Sequence, residues 1–323
     1  MSDKLRIAVC YSGEPRYAER CIRGLQNLLQ IPDIEIDVFY HLWDNITKRQ
    51  QRLREEPVLE NIDKNYIQDK LKPTAGVIES KDSIEPSAEK LYTRAHELIE
   101  INKIKVKNNK LSTNKLSLVE MLQDKDIFFN QIKYTNYPWY SQLYSLGKAQ
   151  EIRKKYQQEH NITYDFVIRS RTDVELLCKD GCSKLKESIN HWNKDKHGPH
   201  NTIYFPSMYI KNSKRNIQQI NNGEPFELPI HVEYCHFIGQ QKIIDELFDG
   251  YQQEIMEYVI QPKNKTGLFQ PTSHTLFPWL ILKKLECRIS VGTPSIRHKL
   301  LQMSNLEHSF YPDGHIRKKP KEK

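Results

Sequence analysis

Tyr164-Asp165-Phe166-Val167-Ile168-Arg169-Ser170-Arg171-Thr172-Asp173-Val174-Glu175 joins a short apolar run to two arginines and two carboxylates. Phe166, Val167 and Ile168 have the apolar, partly β-branched character of a strand inside a covered sheet. Arg169, Arg171, Asp173 and Glu175 then follow at a spacing of two. If the extended conformation persists, alternation puts all four on one face. Guanidinium groups suit diphosphate oxygens, and paired carboxylates suit a hard divalent cation such as Mg²⁺ or Mn²⁺. The strand end is thus a candidate holder of a nucleoside diphosphate and its metal, with Asp173 and Glu175 as ligands. The competing reading is an ordinary surface ion-pair ladder.

Outward from this run, the N-terminal half reads as alternating strands and helices. Leu5 to Tyr11 is an expected strand, Ser12-Gly13-Glu14-Pro15-Arg16 the turn after it, and Tyr17 to Leu29 a helix. Ile34 to His41 is a second strand that ends at Leu42-Trp43-Asp44, and Ala75 to Glu79 a third. Residues 80–135 read as a mostly helical insertion. Tyr137 to His160 forms a long helix with Leu143, Leu146, Ala149 and Ile152 as its apolar stripe. This order predicts an α/β fold with a doubly wound, mostly parallel sheet. Ligands of such sheets lie at the carboxyl ends of the strands. Ser12–Arg16, His41–Asp44 and Arg169–Glu175 all occupy such ends. The first turn has neither GxGxxG nor GxxxxGK[ST], so it is neither a dinucleotide fingerprint nor a Walker loop. Gly13 permits a tight turn, and the helix behind it offers N–H groups to an anion.

The 323 residues carry a net charge of +8. Ile101 to Lys115 holds five lysines and no acid, and Ile316 to Lys323 holds five basic residues and Glu322, which leaves the remainder nearly neutral. The excess is therefore expected on two segments off the folded body. A nucleic-acid-binding face is not indicated, because that requires a basic patch on the fold. The basic tail is a candidate for peripheral contact with a membrane surface or an acidic polymer. No apolar run approaches the roughly 20 residues of a membrane helix. The N-terminus shows no secretory apolar region. The expectation is a soluble, cytoplasmic protein, in the host cytoplasm if it is viral. Six scattered cysteines complete no zinc site and are expected to be reduced.

Later residues add candidate bases. Ile230 to Ile238 reads as one strand carrying His231, Glu233 and His236, with His231 and Glu233 on a shared face. Gln240 to Val259 and Thr272 to Leu285 read as helices, the second opening near His274. Glu233 and His274 are candidates to take a proton from a hydroxyl acceptor. His298 is a further candidate metal ligand.

Four stretches taken in order resemble a group of glycosyltransferase-like proteins of GT-A-type fold, found in bacterial surface-polysaccharide clusters and in large viruses and phages. Ile7 to Arg16 resembles their opening strand and "SGQPR"-type turn. Asp37 to Trp43 resembles their "DVFIHTW" strand, Ser141 to Ala149 their "SQxYSxxKA" helix, and Tyr164 to Asp173 their "YDxVIRxRxD" run. The second half is similar only loosely, through His236-Phe237-Ile238-Gly239 and the 272–285 helix.

The resemblance implies a GT-A-like, Rossmann-like fold with a donor half over residues 1–180, an acceptor half over 181–310 and a basic tail over 311–323. It implies transfer of a sugar from a nucleotide-diphosphate sugar to a hydroxyl of a glycan acceptor. Ser12, Gly13, Arg16 and Asp44 would face the nucleotide, Gln142 and Lys148 the ribose or phosphates, and Arg169 and Arg171 the diphosphate. Asp173 would stand for the acidic D-x-D element. This chain departs from the pattern at Glu14, which replaces a glutamine, and at Arg171, which occupies the first acidic position. The rival readings are a sugar nucleotidyltransferase, a non-catalytic nucleotide-sugar or glycan-binding protein, and an electrostatic adaptor that works through the lysine-rich segments.

Overall fold

The structure is a computed structural model. It describes residues 4–16, 18–30, 34–47, 59–101, 122, 124–134, 138–172, 174–178, 202–205, 208–210, 230–232, 236–251, 262–263, 267–268, 288–291, 296–300, 308–310 and 316–318.

β1 (Leu5–Gly13), β2 (Ile34–Trp43), β3 (Asn45–Thr47), β4 (Leu59–Asn61) and β5 (Ala75–Glu79) form the N-terminal strands. α1 (Ala18–Leu29) and α2 (Lys64–Leu71) fall between them. A 3₁₀ turn over Lys81–Ile84 leads into α3 (Glu85–Ile101), and α4 (Lys125–Tyr134) and α5 (Pro138–His160) follow. Next come β6 (Phe166–Ser170), β7 (Val174–Cys178), β8 (Thr202–Phe205), β9 (Met208–Ile210), β10 (Ile230–Val232) and β11 (His236–Gln240). After α6 (Gln241–Leu247) come β12 (Pro262–Lys263), β13 (Gly267–Leu268), β14 (Arg288–Val291), β15 (Ile296–Leu300), β16 (His308–Phe310) and β17 (Ile316–Lys318).

Seven strands make the central sheet in the order β14-β8-β11-β6-β1-β2-β5. The pairs β6–β1, β1–β2, β2–β5 and β14–β8 are parallel, and β11 runs antiparallel to both of its neighbours. The fold is thus α/β, with a mostly parallel sheet flanked by helices. The chain leaves β1 for β2 on one side and later returns to β6 on the other. The β1/β6 boundary is therefore the switch point at which such sheets open a crevice.

Strand alternation divides the core. Ile7, Val9, Tyr11, Val38, Tyr40, Leu42, Phe166, Ile168 and Ile238 pack with Cys21, Ile22, Leu25 and Leu28 of α1. These α1 positions recur at helical spacing, which explains the docking of that face. On the other side, α5 buries Leu143, Leu146 and Ala149 as its sequence pattern predicts, whereas Ile152, expected in the same stripe, is only half-buried. It also buries Ser145, Gln150, Arg153 and Gln157, which apolar periodicity does not mark. Arg153 is fully buried; it donates to Gln150 Oε1 at 2.9 Å and pairs with Gln157 and with Asp245 of α6. The expected helical insertion is present as α3 and α4. It is tied down by Lys133, which pairs with Asp82 at 2.9 Å and with Glu85, and by a 2.7 Å hydrogen bond between Ser87 and Tyr140 of α5.

Three expectations are corrected. The first strand continues through Ser12 and Gly13, so these two residues end β1 rather than starting the turn. The run from Phe166 to Glu175 is not one strand. β6 stops at Ser170, and β7 leaves the central sheet to pair with β15. The hydroxyl of Thr172 donates to the Glu14 carbonyl at 2.8 Å and draws the chain across the end of β1. Alternation therefore does not carry from Arg169 to Glu175. Third, Ile230–Ile238 is two strands: β10 pairs with β9 in a separate ribbon, whereas β11 belongs to the central sheet. His231 and His236 do not share a strand. Within the basic tail, Ile316–Lys318 pairs antiparallel with His308–Phe310 in a ribbon apart from the central sheet.

Candidate functional site at the carboxyl ends of β1, β2 and β6

In register, Ser12 faces His41, Gly13 faces Leu42, Cys10 faces Arg169 and Tyr11 faces Ser170. The ends of three strands are therefore level with one another. Gly13 has φ +102°, a region that non-glycine residues avoid, and no atom lies within 4 Å of where a Cβ would stand. Conformation, not crowding, requires glycine here. Its N–H donates to Ser145 Oγ of α5 at 2.7 Å.

Glu14 is the electrostatic hub of the turn. Its carboxylate accepts from Arg16 Nε at 2.7 Å, from the Thr47 hydroxyl at 2.6 Å and from Lys81 Nζ. Lys81 is 1% exposed and also donates to Thr47 Oγ1 at 2.7 Å. Burial by itself would raise the Glu14 carboxyl, but Lys81 and Arg16 outweigh it and hold the group below its ordinary value. Burial pulls the Lys81 ammonium down, against Glu14. The Glu14 main chain also fixes the turn: its carbonyl accepts from the Arg16 N–H at 2.8 Å and from Thr172.

Arg169 is 1% exposed, and its guanidinium donates to Ser12 Oγ at 3.2 Å. It braces the end of β1 from below, whereas Arg171 beyond it is half-buried. Asp44 lies past β2. Its N–H donates to the Glu79 carbonyl at 2.9 Å, and its carboxylate accepts from Asn45 Nδ2 at 2.9 Å and lies 4.0 Å from Lys64 Nζ. On α5, Gln142 is half-buried, and Lys148 pairs with Glu151 at 2.7 Å with its ammonium 5.6 Å from the Tyr144 ring centre. Tyr144 stacks on Trp43 with ring centres 6.0 Å apart. His41 lies beneath, edge-on to Trp43.

The structure thus brings Ser12, Gly13, Arg16 and Arg169 around the β1/β6 boundary, with Arg171 following. Asp44 follows β2, and Lys148 lies on α5. Asp173, Glu233 and His274 lie outside the described residues, as do the side chains of Glu175, His231 and His298, although their backbones fall in β7, β10 and β15. Among the described residues, no group of three His, Cys, Asp or Glu side chains could hold a metal ion. His236 is buried opposite Ser170 in the sheet.

Sequence reasoning did not single out Ser145, Glu79, Lys81, Thr47 or Thr172. Ser145 stands inside the quoted helix motif, and Thr172 inside the key run. Lys81 gives no local signal, since a lysine two residues past a strand is ordinarily exposed. Among the described residues, no helix is long and apolar enough to cross a membrane.

No family model matches the chain, and no curated protein matches it. The crystal structure of mouse xyloside xylosyltransferase 1 in its apo form aligns with 89% of this chain and 84% of its own, at 9% identity and a TM-score of 0.34. An alignment this loose assigns neither substrate nor residue roles.

Proposed function

We propose that this chain transfers a sugar from a nucleoside-diphosphate donor to a hydroxyl of a glycan acceptor, on a GT-A-like fold. The observation that carries this reading is the junction of two resemblance-bearing motifs across the switch point. The Ser12–Arg16 turn and the Arg169–Thr172 segment are joined by Arg169 to Ser12 and by Thr172 to Glu14. They flank the crevice where an open α/β sheet binds its ligand.

In this reading Arg169 holds the turn and Arg171 offers its guanidinium to the diphosphate, so the charge that develops on the leaving group meets a fixed cation. Arg16 contributes once its guanidinium exchanges the Glu14 carboxylate for phosphate oxygen. Asp44 and Gln142 take nucleotide and ribose hydroxyls, and Lys148 adds positive charge from α5. A Mn²⁺ or Mg²⁺ ion, if used, is held by Asp173 and Glu175 and supplies Lewis-acid neutralisation of the diphosphate. Glu233 or His274 receives the acceptor proton if the reaction inverts. The protein works in the cytoplasm, without nucleic acid, and its basic tail supplies peripheral membrane contact.

The test is a thermal-shift and calorimetry screen of UDP-, GDP-, CDP- and dTDP-sugars, each with and without Mn²⁺. Stabilisation by one donor, strengthened by metal, supports the transferase with a carboxylate-bound cation. Stabilisation indifferent to metal supports phosphate neutralisation by arginine alone. No response to any donor removes the reading. With a donor in hand, Arg171→Ala and Asp173→Asn are each expected to abolish transfer without unfolding the protein, and near-normal turnover in both would exclude this site.

A further inference from the structure

The Gly13 turn is held by a chain of contacts that begins two strands away. Glu79 Oε1 of β5 lies 2.6 Å from His41 Nε2. His41 Nδ1 lies 2.9 Å from Ser145 Oγ. That oxygen is also 2.8 Å from the His41 carbonyl and accepts the Gly13 N–H at 2.7 Å. Ser145 and His41 are buried, at 0% and 1% exposure, so the Ser145 hydroxyl is not placed to attack a substrate.

Counting protons separates two states. A serine hydroxyl has one hydrogen to give. With neutral His41, Nε2–H donates to Glu79, and Nδ1 accepts the Ser145 proton. The His41 carbonyl then receives nothing from Ser145, whose oxygen serves Gly13 alone as acceptor. With imidazolium, Nδ1–H donates to Ser145, and the hydroxyl turns to the His41 carbonyl. All four contacts are then hydrogen bonds, but the oxygen divides its acceptor capacity between Gly13 and His41. Proton uptake at His41 therefore redirects the hydroxyl that anchors the turn.

We infer that His41 is a positioning residue: through Ser145 it sets how firmly the Gly13 turn is held against the donor nucleotide. The role rests on the donor-binding reading above. The groups facing His41 are Glu79 of β5, Lys148 and Tyr144 of α5, the Trp43 ring, and Ser12 beside it in β1. Burial pushes the imidazole below its ordinary value, with Glu79 opposing and Lys148 assisting. The neutral state, in which Gly13 has the oxygen to itself, is thus the one present at neutral pH. Donor binding should weaken as His41 takes up its proton.

The experiment has two arms. In ¹⁵N-labelled protein without ligand, the His41 ring nitrogens and the Gly13 amide are followed against pH, and both are expected to report one midpoint. In parallel, calorimetry follows the affinity of the best binder among UDP, GDP, CDP and dTDP over the same range. Nucleotides titrate too, so Glu79→Gln separates the causes. It keeps an acceptor for Nε2–H but removes the charge, and both the Gly13 and the affinity midpoints should move to lower pH together. Ser145→Ala should weaken binding about tenfold, the size of one buried hydrogen bond lost. His41→Asn should retain much of the affinity while losing the pH response of Gly13. A Gly13 amide that ignores His41, or an affinity profile unchanged in Glu79→Gln, overturns the inference. If Gly13 follows His41 but no nucleotide binds the unaltered protein, the donor reading fails and takes the positioning role with it.

Discussion

On the α1 side of the central sheet, β1, β2 and β6 present Ile7, Val9, Tyr11, Val38, Leu42 and Ile168 to an apolar helix face. On the α5 side the same strands present Cys10, Ser12, His41 and Arg169, and the helix answers with Ser145, Gln150 and Arg153. Both layers are dry, but only the second must satisfy hydrogen bonds and charges to stay so. The α1 side fixes the sheet by area buried, which is tolerant of direction. The α5 side adds paired polar atoms to its buried Leu143, Leu146 and Ala149, and polar pairing is not tolerant of direction. The candidate site lies at the edge of the second layer.

The largest effect should come from the apolar side. Leu25→Ala deletes a buried side chain and is expected to cost about 2–5 kcal/mol. Denaturant unfolding at pH 5 and pH 8 should show nearly the same loss, and a strongly pH-dependent loss would break the contrast between the layers. Next is Arg153→Ala on the polar side, which strands Gln150, Gln157 and Asp245. A loss of about 1–3 kcal/mol is expected. It should be accompanied by faster amide exchange in α6, because the Arg153–Asp245 pair is one of the polar ties to that helix, beside Lys154 to the Asp245 carbonyl. Exchange unchanged in α6 would show that the Arg153–Asp245 pair does not hold it.

A smaller effect should follow Gly13→Ala. With open space around the missing Cβ, only the cost of the positive φ remains, about 1 kcal/mol. A loss several times larger would mean that crowding, not backbone conformation, selects glycine.

The smallest effect should be the pH dependence of the polar layer. His41 is held below its ordinary value of 6.5 by burial, with Glu79 opposing, so the folded state resists its protonation. Its contribution is complete above pH 6.5 and declines as pH falls toward its folded value. The Glu14 carboxyl, raised by burial but lowered more by Lys81 and Arg16, lies below 4.5. Its contribution is present above pH 4.5 and is lost as pH falls through the folded value. Thermal unfolding against pH should therefore steepen in two acid steps, and Glu14→Gln should remove the lower one only. A lower step that survives Glu14→Gln would assign it to other carboxylates. The Cys10 thiol, pushed up to about 11 by burial, should stay unreactive to thiol reagents across the whole range.

Much of the first half was legible in the chain. Apolar runs bounded by Gly13, Asp44 and Glu79 mark β1, β2 and β5, and Cys21, Leu25, Leu28 and Leu29 mark one face of α1, although Leu29 at its end is exposed. These are local periods, and strands and helices impose them directly. The candidate site was legible as segments near strand ends, because the turn motif and the arginine run both adjoin apolar runs, although Ser12, Gly13 and Arg169 prove to be among the last residues of their strands rather than loop. Where the reading failed, a nonlocal contact had intervened. Periodicity within 164–175 gives no sign that Thr172 will bond to Glu14, 158 residues away, and end the extended run. Nor does it show that Ile230–Val232 and His236–Gln240 part into different sheets.

The sequence alone determined the alternation of elements in the first half, the apolar stripes of α1 and α5 in large part, and a tight turn at Gly13. Tertiary structure decided which polar groups would be buried together. Ser145 and His41 are 104 residues apart in the chain, His41 and Glu79 are 38 apart, and Lys81 and Glu14 are 67 apart. Each of these side chains taken singly would prefer water. Burial becomes acceptable only when strand order and the α5 crossover bring the partners within hydrogen-bond distance, and no local pattern encodes that condition.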